Sequence, residues 1–75
     1  MKTVKDLVNG WIEETVELTF NHNRNSVDVL LWNKKGERIT TVKNQDADVF
    51  LSFFDYGQYQ SDDIETIKNY LSEIL

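Results

Sequence analysis

Apolar residues recur along this chain first at a helical period and then at a period of two. Val4, Leu7, Val8, Trp11 and Ile12 fall at i, i+3, i+4, i+7 and i+8. That spacing lays one apolar stripe along a helix, predicted over Val4–Glu14. Thr3 stands where an N-cap belongs, and Asp6, three residues on, completes a capping box. Gly10 weakens the last turn. The period then shortens. Val16, Leu18 and Phe20 alternate with Glu17 and Thr19, the signature of a half-buried strand, predicted over Thr15–Asn21. Asn21-His22-Asn23-Arg24-Asn25 is a polar turn. Its asparagines tolerate positive φ. Val27, Val29 and Leu31 mark a second strand over Ser26–Asn33, sharing a face with Val16, Leu18 and Phe20. Asn33-Lys34-Lys35-Gly36 makes a hairpin turn with glycine at a left-handed position. A third strand follows over Glu37–Lys43, with Ile39 and Thr41 alternating with Arg38, Thr40 and Val42.

Helical spacing returns in the acidic half of the chain. Ala47, Phe50, Leu51 and Phe54, widened by Val49 and Phe53, predict a helix over Asp46–Phe54, capped by Asn44 or Asp46. Asp55–Gln60 reads as a loop or a short edge strand. A last helix is predicted over Asp62–Ile74, with Ser61 as N-cap and Asp62, Asp63 and Glu65 in the first turn, where the helix dipole favours anions. Ile64, Ile67, Leu71, Ile74 and Leu75 form its seam. The fold class is therefore α+β, one domain over residues 1–75. It has a three-stranded antiparallel sheet with helices packed on one face, in the order α-β-β-β-α-α.

Size and charge refine this picture. Seventy-five residues leave room for one core, which buries about 60% of the surface the unfolded chain exposes. Net stability is then on the order of 5 kcal/mol or less. There is no cysteine, hence no disulfide and no thiolate metal site. Met1–Val8 lacks the apolar core of a signal peptide. The longest apolar run, Val29–Trp32, is far short of the ~20 residues that span a bilayer. The expectation is a soluble, cytoplasmic protein. The net charge of −5 is unevenly placed: residues 1–43 carry seven Lys or Arg against six Asp or Glu, and residues 44–75 carry one Lys against seven. An acidic surface repels nucleic acid and membranes and attracts basic partners.

No catalytic constellation emerges. His22 is the single histidine and falls in a turn. Neither Ser26 nor Ser52 has the spacing of a triad. Asn44, Asp46 and Asp48 start like a calcium loop, but Val49 stands where glycine is required and Asp55 where glutamate is. No metal site and no cofactor are expected. The three glycines are isolated, so there is no phosphate loop. Lys34, Lys35, Arg38 and Lys43 make a basic cluster on an otherwise acidic domain, which argues against direct nucleic-acid binding. The function expected is binding to another protein, not catalysis.

Two surfaces are candidates for that contact. On one, Asp55, Tyr56, Tyr59, Asp62, Asp63 and Glu65 combine carboxylates with tyrosine rings. Such a surface suits Arg and Lys through ion pairs and cation–π contacts. The other is the outer face of the sheet, where Leu30 and Trp32, with Val42 beside them, form an apolar patch for a partner or for a homodimer.

The element order, the small size and the acidic C-terminal part resemble the small phage-encoded type II-A anti-CRISPR proteins. The residues that carry the likeness are Asp6-Leu7-Val8, Val16-Glu17-Leu18, Gly36, Phe50-Leu51-Ser52-Phe53-Phe54 and the acidic stretch Tyr59–Glu65. That family inhibits a CRISPR effector nuclease by occupying the site that reads DNA. The resemblance implies a phage or mobile-element protein that mimics DNA through Tyr59, Asp62, Asp63 and Glu65. The family's second hairpin turn is acidic, whereas Lys34 and Lys35 occupy it here, so the turn does not share that role.

Overall fold

The structure, a computed structural model, describes residues 3–75. Three helices, α1 (Val4–Glu14), α2 (Ala47–Leu51) and α3 (Ile64–Ile74), accompany four strands, β1 (Glu17–His22), β2 (Ser26–Trp32), β3 (Arg38–Asp46) and β4 (Gln60–Ser61). The order is thus α-β-β-β-α-β-α, and the antiparallel sheet runs β3-β2-β1-β4. The class is the α+β one expected, but the sheet has a fourth strand. Of the segment Asp55–Gln60, which reads as a loop or a short edge strand, residues 55–59 form turn and loop, and the edge strand β4 begins only at Gln60, too short to show a period. It pairs with β1 at Leu18↔Ser61 and Thr19↔Gln60.

Local chemistry sets the ends of these elements. The Thr3 hydroxyl accepts from the Asp6 amide at 3.1 Å, and the Asp6 carboxylate accepts from the Thr3 amide at 3.2 Å, the reciprocal pairing of a capping box. At the far end of α1, Thr15 turns back, its hydroxyl donating to the Trp11 carbonyl at 2.6 Å. In the second hairpin Gly36 takes φ +78°, as its place in the turn requires. There the Asn33 side-chain oxygen accepts from the amides of Lys35 and Glu37.

The inner face of the sheet follows the alternation. β1 and β2 pair without interruption from Glu17↔Trp32 to His22↔Val27, which puts Leu18, Phe20, Val27, Val29 and Leu31 into the core. Phe50, Phe54, Ile67, Tyr70 and Leu71 close over them from α2, α3 and the turn after α2. Rings dominate the contact. Phe20 meets Phe50 at 4.9 Å and Phe54 at 4.8 Å between centroids, and Tyr70 meets Phe53 at 5.4 Å and Phe54 at 5.1 Å. α1 packs beside α3 and contributes Trp11 and Ile12 to the edge of the core.

β3 departs most from the expected alternation. Its register against β2 shifts twice, between the partners of Val27 and Val29 and between those of Leu31 and Trp32. Each shift is a bulge that inserts one residue into β3. At the first, Asn44 adopts φ +58°, and its amide donates to the Asp28 carboxylate on β2 at 2.9 Å. The strand therefore continues to Asp46 instead of stopping at Lys43. Positive φ falls on this asparagine and on none of those in the first hairpin turn. The second bulge, between Arg38 and Thr40, corrects the placement of Val42. It lies opposite Val29 and packs against the core, so it is not beside Leu30 and Trp32 on the outer face.

Two helices differ in detail. α2 has only five residues, with Asp46 as its N-cap accepting from the Asp48 and Val49 amides. The N-cap of α3 is Asp63, not Ser61; its carboxylate accepts from the Thr66 amide at 3.4 Å and the Thr66 hydroxyl at 3.0 Å. Ile64 and Leu75, expected in the seam of α3, are exposed, and Tyr70 takes the central buried position instead.

Candidate functional site

The segment between Phe54 and α3 carries the acidic tyrosine surface, and its shape begins with one turn. The Gln58 amide donates to the Asp55 carbonyl at 3.0 Å, and Gly57 takes φ +88° at the third position, where glycine avoids the Cβ penalty of positive φ. The Asp55 amide donates to Gln58 Oε1 at 3.3 Å. Tyr56 at the second position is thereby turned outward, 77% exposed, and Tyr59 is 69% exposed. Asp55, Asp62, Asp63 and Glu65 are also exposed. The tyrosine rings do not pack into the core; they stand on the surface among the carboxylates.

What holds them there was not apparent in the sequence. His22 is the last residue of β1 rather than part of a turn. It pairs with Val27 and is half-buried on the core side of the sheet. Its Nε2 lies 2.8 Å from the Gln58 carbonyl. A carbonyl only accepts, so Nε2 carries the proton of that bond. The imidazole meets Phe50 at 5.3 Å, Tyr59 at 5.4 Å and Tyr56 at 5.7 Å between centroids. The signal that would have found it was the alternation itself, since Leu18, Phe20 and His22 are spaced two apart and share a face.

The four carboxylates differ in their attachments. Asp63 caps α3, and Asp55 anchors the turn through its backbone, whereas Asp62 and Glu65 extend from exposed positions. Asp63→Ala is expected to lower stability by about 1 kcal/mol, the usual cost of losing an N-cap. Asp62→Ala is expected to change stability by less than about 0.5 kcal/mol. Urea melts of the two variants separate the structural carboxylate from the surface one.

On the outer face, Leu30 lies opposite Thr19 and Thr41, and Trp32 opposite Glu17 and Arg38. Both are half-buried. The indole N–H of Trp32 donates to Thr19 Oγ1 at 2.8 Å, so the ring leans across β1 with its polar atom already paired. With Val42 on the other side, the apolar patch contracts to Leu30 and Trp32.

The larger clefts do not assemble a reactive group. One of about 440 Å³, between the end of α1 and the second hairpin turn, is lined by Glu13, Glu14, Val16, Asn33, Lys34 and Lys35. Another of about 460 Å³, between α1 and α3, is mostly apolar, with Val4, Val8, Ile12 and Leu75 in its walls. Neither contains the histidine. Among the described residues no group of three or more His, Asp or Glu side chains is placed to hold a metal ion. No described helix is long and apolar enough to cross a membrane.

Compared with known proteins, the chain matches no protein-family model, no curated protein and no solved structure.

Proposed function

We propose that this chain is a non-enzymatic interaction domain that presents the surface from Asp55 to Glu65 to a basic protein in the cytoplasm. The observation that carries this reading is the exposure of Tyr56 and Tyr59, 77% and 69%, amid exposed Asp55, Asp62 and Glu65. An aromatic ring left mostly uncovered at home offers that area to a partner. Surrounding carboxylates select cationic side chains and accelerate encounter. The resemblance to small phage-encoded anti-CRISPR proteins fits the same chemistry, since a DNA-reading site is a basic surface. It suggests a phage or mobile-element inhibitor of a nucleic-acid-handling protein. The alternative is self-association through the outer sheet face. It draws less support, because the Trp32 indole is already paired with Thr19 and Val42 faces the core.

The test is affinity capture from a bacterial lysate by the wild-type chain and by the double variant Asp62→Lys/Glu65→Lys, with Asp63 spared because it caps α3. Wild type is expected to retain a basic protein that elutes as salt rises, since exposed charge pairs are screened within ~8 Å at physiological ionic strength. The double variant is expected to bind it at least about ten-fold more weakly, a loss of roughly 1.4 kcal/mol. Equal retention by both chains would overturn the acidic-surface reading. For the alternative, Trp32→Glu is expected to leave the solution mass by light scattering unchanged; a drop from dimer to monomer would reinstate the sheet face.

A further inference from the structure

The segment that carries the two tyrosines has little of its own to hold it in place. From Asp55 to Gln60 no side chain is buried. Its bonds are partly internal: Gln58 to Asp55 within the turn, and the Gln58 side-chain amide to the Gln60 carbonyl at 3.0 Å. Beyond the short β4 pairing, two hydrogen bonds tie it to the sheet, and both come from β1. The Phe20 amide donates to the Tyr59 carbonyl at 2.9 Å, and the His22 imidazole donates to the Gln58 carbonyl at 2.8 Å. The first is a backbone bond that many sequences would make. The second needs a side chain with a donor at ring distance from β1 and a flat surface for rings to rest against. Imidazole supplies both. It reaches Gln58 through Nε2, and its ring lies between Phe50 on the core side and Tyr56 and Tyr59 on the surface side.

We propose that His22 is the positioning residue of the acidic tyrosine surface: its imidazole fastens the Asp55–Gln60 segment to the edge of β1 and fixes where Tyr56 and Tyr59 stand. This rests on the reading of that surface as the binding site, but its structural core does not. An exposed ring held in one place has less conformational freedom to lose when a partner arrives. His22 therefore acts on binding through the two tyrosines without touching the partner.

The experiment uses the intact chain and three variants, His22→Ala, His22→Phe and His22→Gln, with no partner present. Amide exchange is followed by NMR at Gln58 and Phe20, the donors that report the turn and its tether, and at Val29 in the core. The ring resonances of Tyr56 and Tyr59 are followed alongside. His22→Ala is expected to speed exchange at Gln58 and Phe20 at least about ten-fold more than at Val29, because local opening needs less free energy than global unfolding. The tyrosine rings are expected to lose their separate shifts and converge on free-tyrosine values. His22→Phe, which keeps a ring but no donor, and His22→Gln, which keeps a donor but no ring, are expected to fall between. If His22→Ala does not fold, His22→Phe carries the test. Unchanged protection at Gln58 and Phe20 overturns the proposal. So does equal acceleration at all three amides, which would make His22 an ordinary stabilising residue. Unweakened capture by Asp62→Lys/Glu65→Lys would sink the binding reading and leave the fastening of the segment standing. Once a partner is in hand, His22→Ala is expected to bind it on the order of ten-fold more weakly, with every carboxylate of the surface still present.

Discussion

Phe50→Ala is expected to leave most of the chain unfolded at 25 °C. Phe50 is 1% exposed, and its ring meets four others: Phe20 at 4.9 Å, His22 and Phe54 at 5.3 Å, and Tyr70 at 6.3 Å. Truncating a buried phenylalanine to alanine costs about 3–5 kcal/mol, from lost transfer free energy and from the cavity left behind. A single core in a chain of this size supplies a net of about 3–5 kcal/mol, so the loss is comparable to the whole. Position adds to size here. α2 has five residues, too few to hold its shape without tertiary packing, and Phe50 is its buried anchor. The measurement is far-ultraviolet circular dichroism with a urea titration. The expected result is a weak helical signal and no cooperative transition. A cooperative melt within about 1 kcal/mol of wild type would show that the aromatic cluster is not what holds the domain together. Leu51→Ala makes the control, since Leu51 is 45% exposed on the same helix and its truncation should be mild.

The parts of this fold that could be read beforehand are those where a period persists over many residues or where a side chain caps its own backbone. α1 and its Thr3–Asp6 box, the Leu18/Phe20 and Val27/Val29/Leu31 alternation, and the Gly36 turn are all local signals of this kind. They survive because no distant contact opposes them. The failures have a common physical cause, which is that the deciding partner lies far away in sequence. Asn44 takes its positive φ in a bulge where the Asp28 carboxylate, sixteen residues earlier, accepts its amide hydrogen. No pattern within β3 announces that. The other bulge, between Arg38 and Thr40, changes the side of Val42, because a single inserted residue exchanges the two faces of a strand. β4 exists because Leu18 and Thr19 offer it an edge, not because Gln60 and Ser61 prefer to be extended.

The candidate surface was legible in the same partial way. That acids and tyrosines cluster from Asp55 to Glu65 is plain in the sequence, and so is the excess of negative charge there. That both tyrosines stand outward depends on Gly57, on the Asp55–Gln58 turn, and on an imidazole thirty-six residues before Gln58. The helix cap separates the carboxylates further. Asp62 and Asp63 are neighbours of the same type, yet one projects from the surface and the other holds the start of α3. Composition assigns them one role; geometry assigns two. That is why charge reversal at Asp62 reads out binding most cleanly, whereas any change at Asp63, the cap, also reads out folding, and a lysine at Glu65 in the first turn of α3 does so to a smaller extent.

Tyr70→Phe is expected to raise stability, by about 1 kcal/mol at neutral pH and by more in alkali. The side chain is fully buried, in van der Waals contact with Phe53 and Phe54, and its hydroxyl finds no hydrogen-bond partner among the described residues. A buried hydroxyl without a partner costs about 1–3 kcal/mol of lost hydration, a cost that phenylalanine removes while keeping the ring. Burial acts on ionisation in the same direction. It penalises the phenolate and pushes Tyr70 up to about 12 from its ordinary 10.0. The proton is thus held more tightly in the folded chain than in the unfolded one. Below the unfolded value both states keep it, and its contribution to stability is constant. From pH 10 upward the unfolded state releases it while the folded state does not. Stability then falls by at most about 1.4 kcal/mol per pH unit and levels off once the folded pKa is passed. The total loss is on the order of 3 kcal/mol. Urea melts at pH 7, 10 and 11.5 test both halves. Tyr70→Phe should start higher and lose less between pH 10 and 11.5 than wild type, whereas Tyr56→Phe, at an exposed position, should follow wild type throughout. A Tyr70→Phe chain less stable than wild type at pH 7 would mean that the hydroxyl is satisfied in solution. A wild-type chain with the same alkaline slope as the variant would mean that the ring is not buried as the packing of α3 requires.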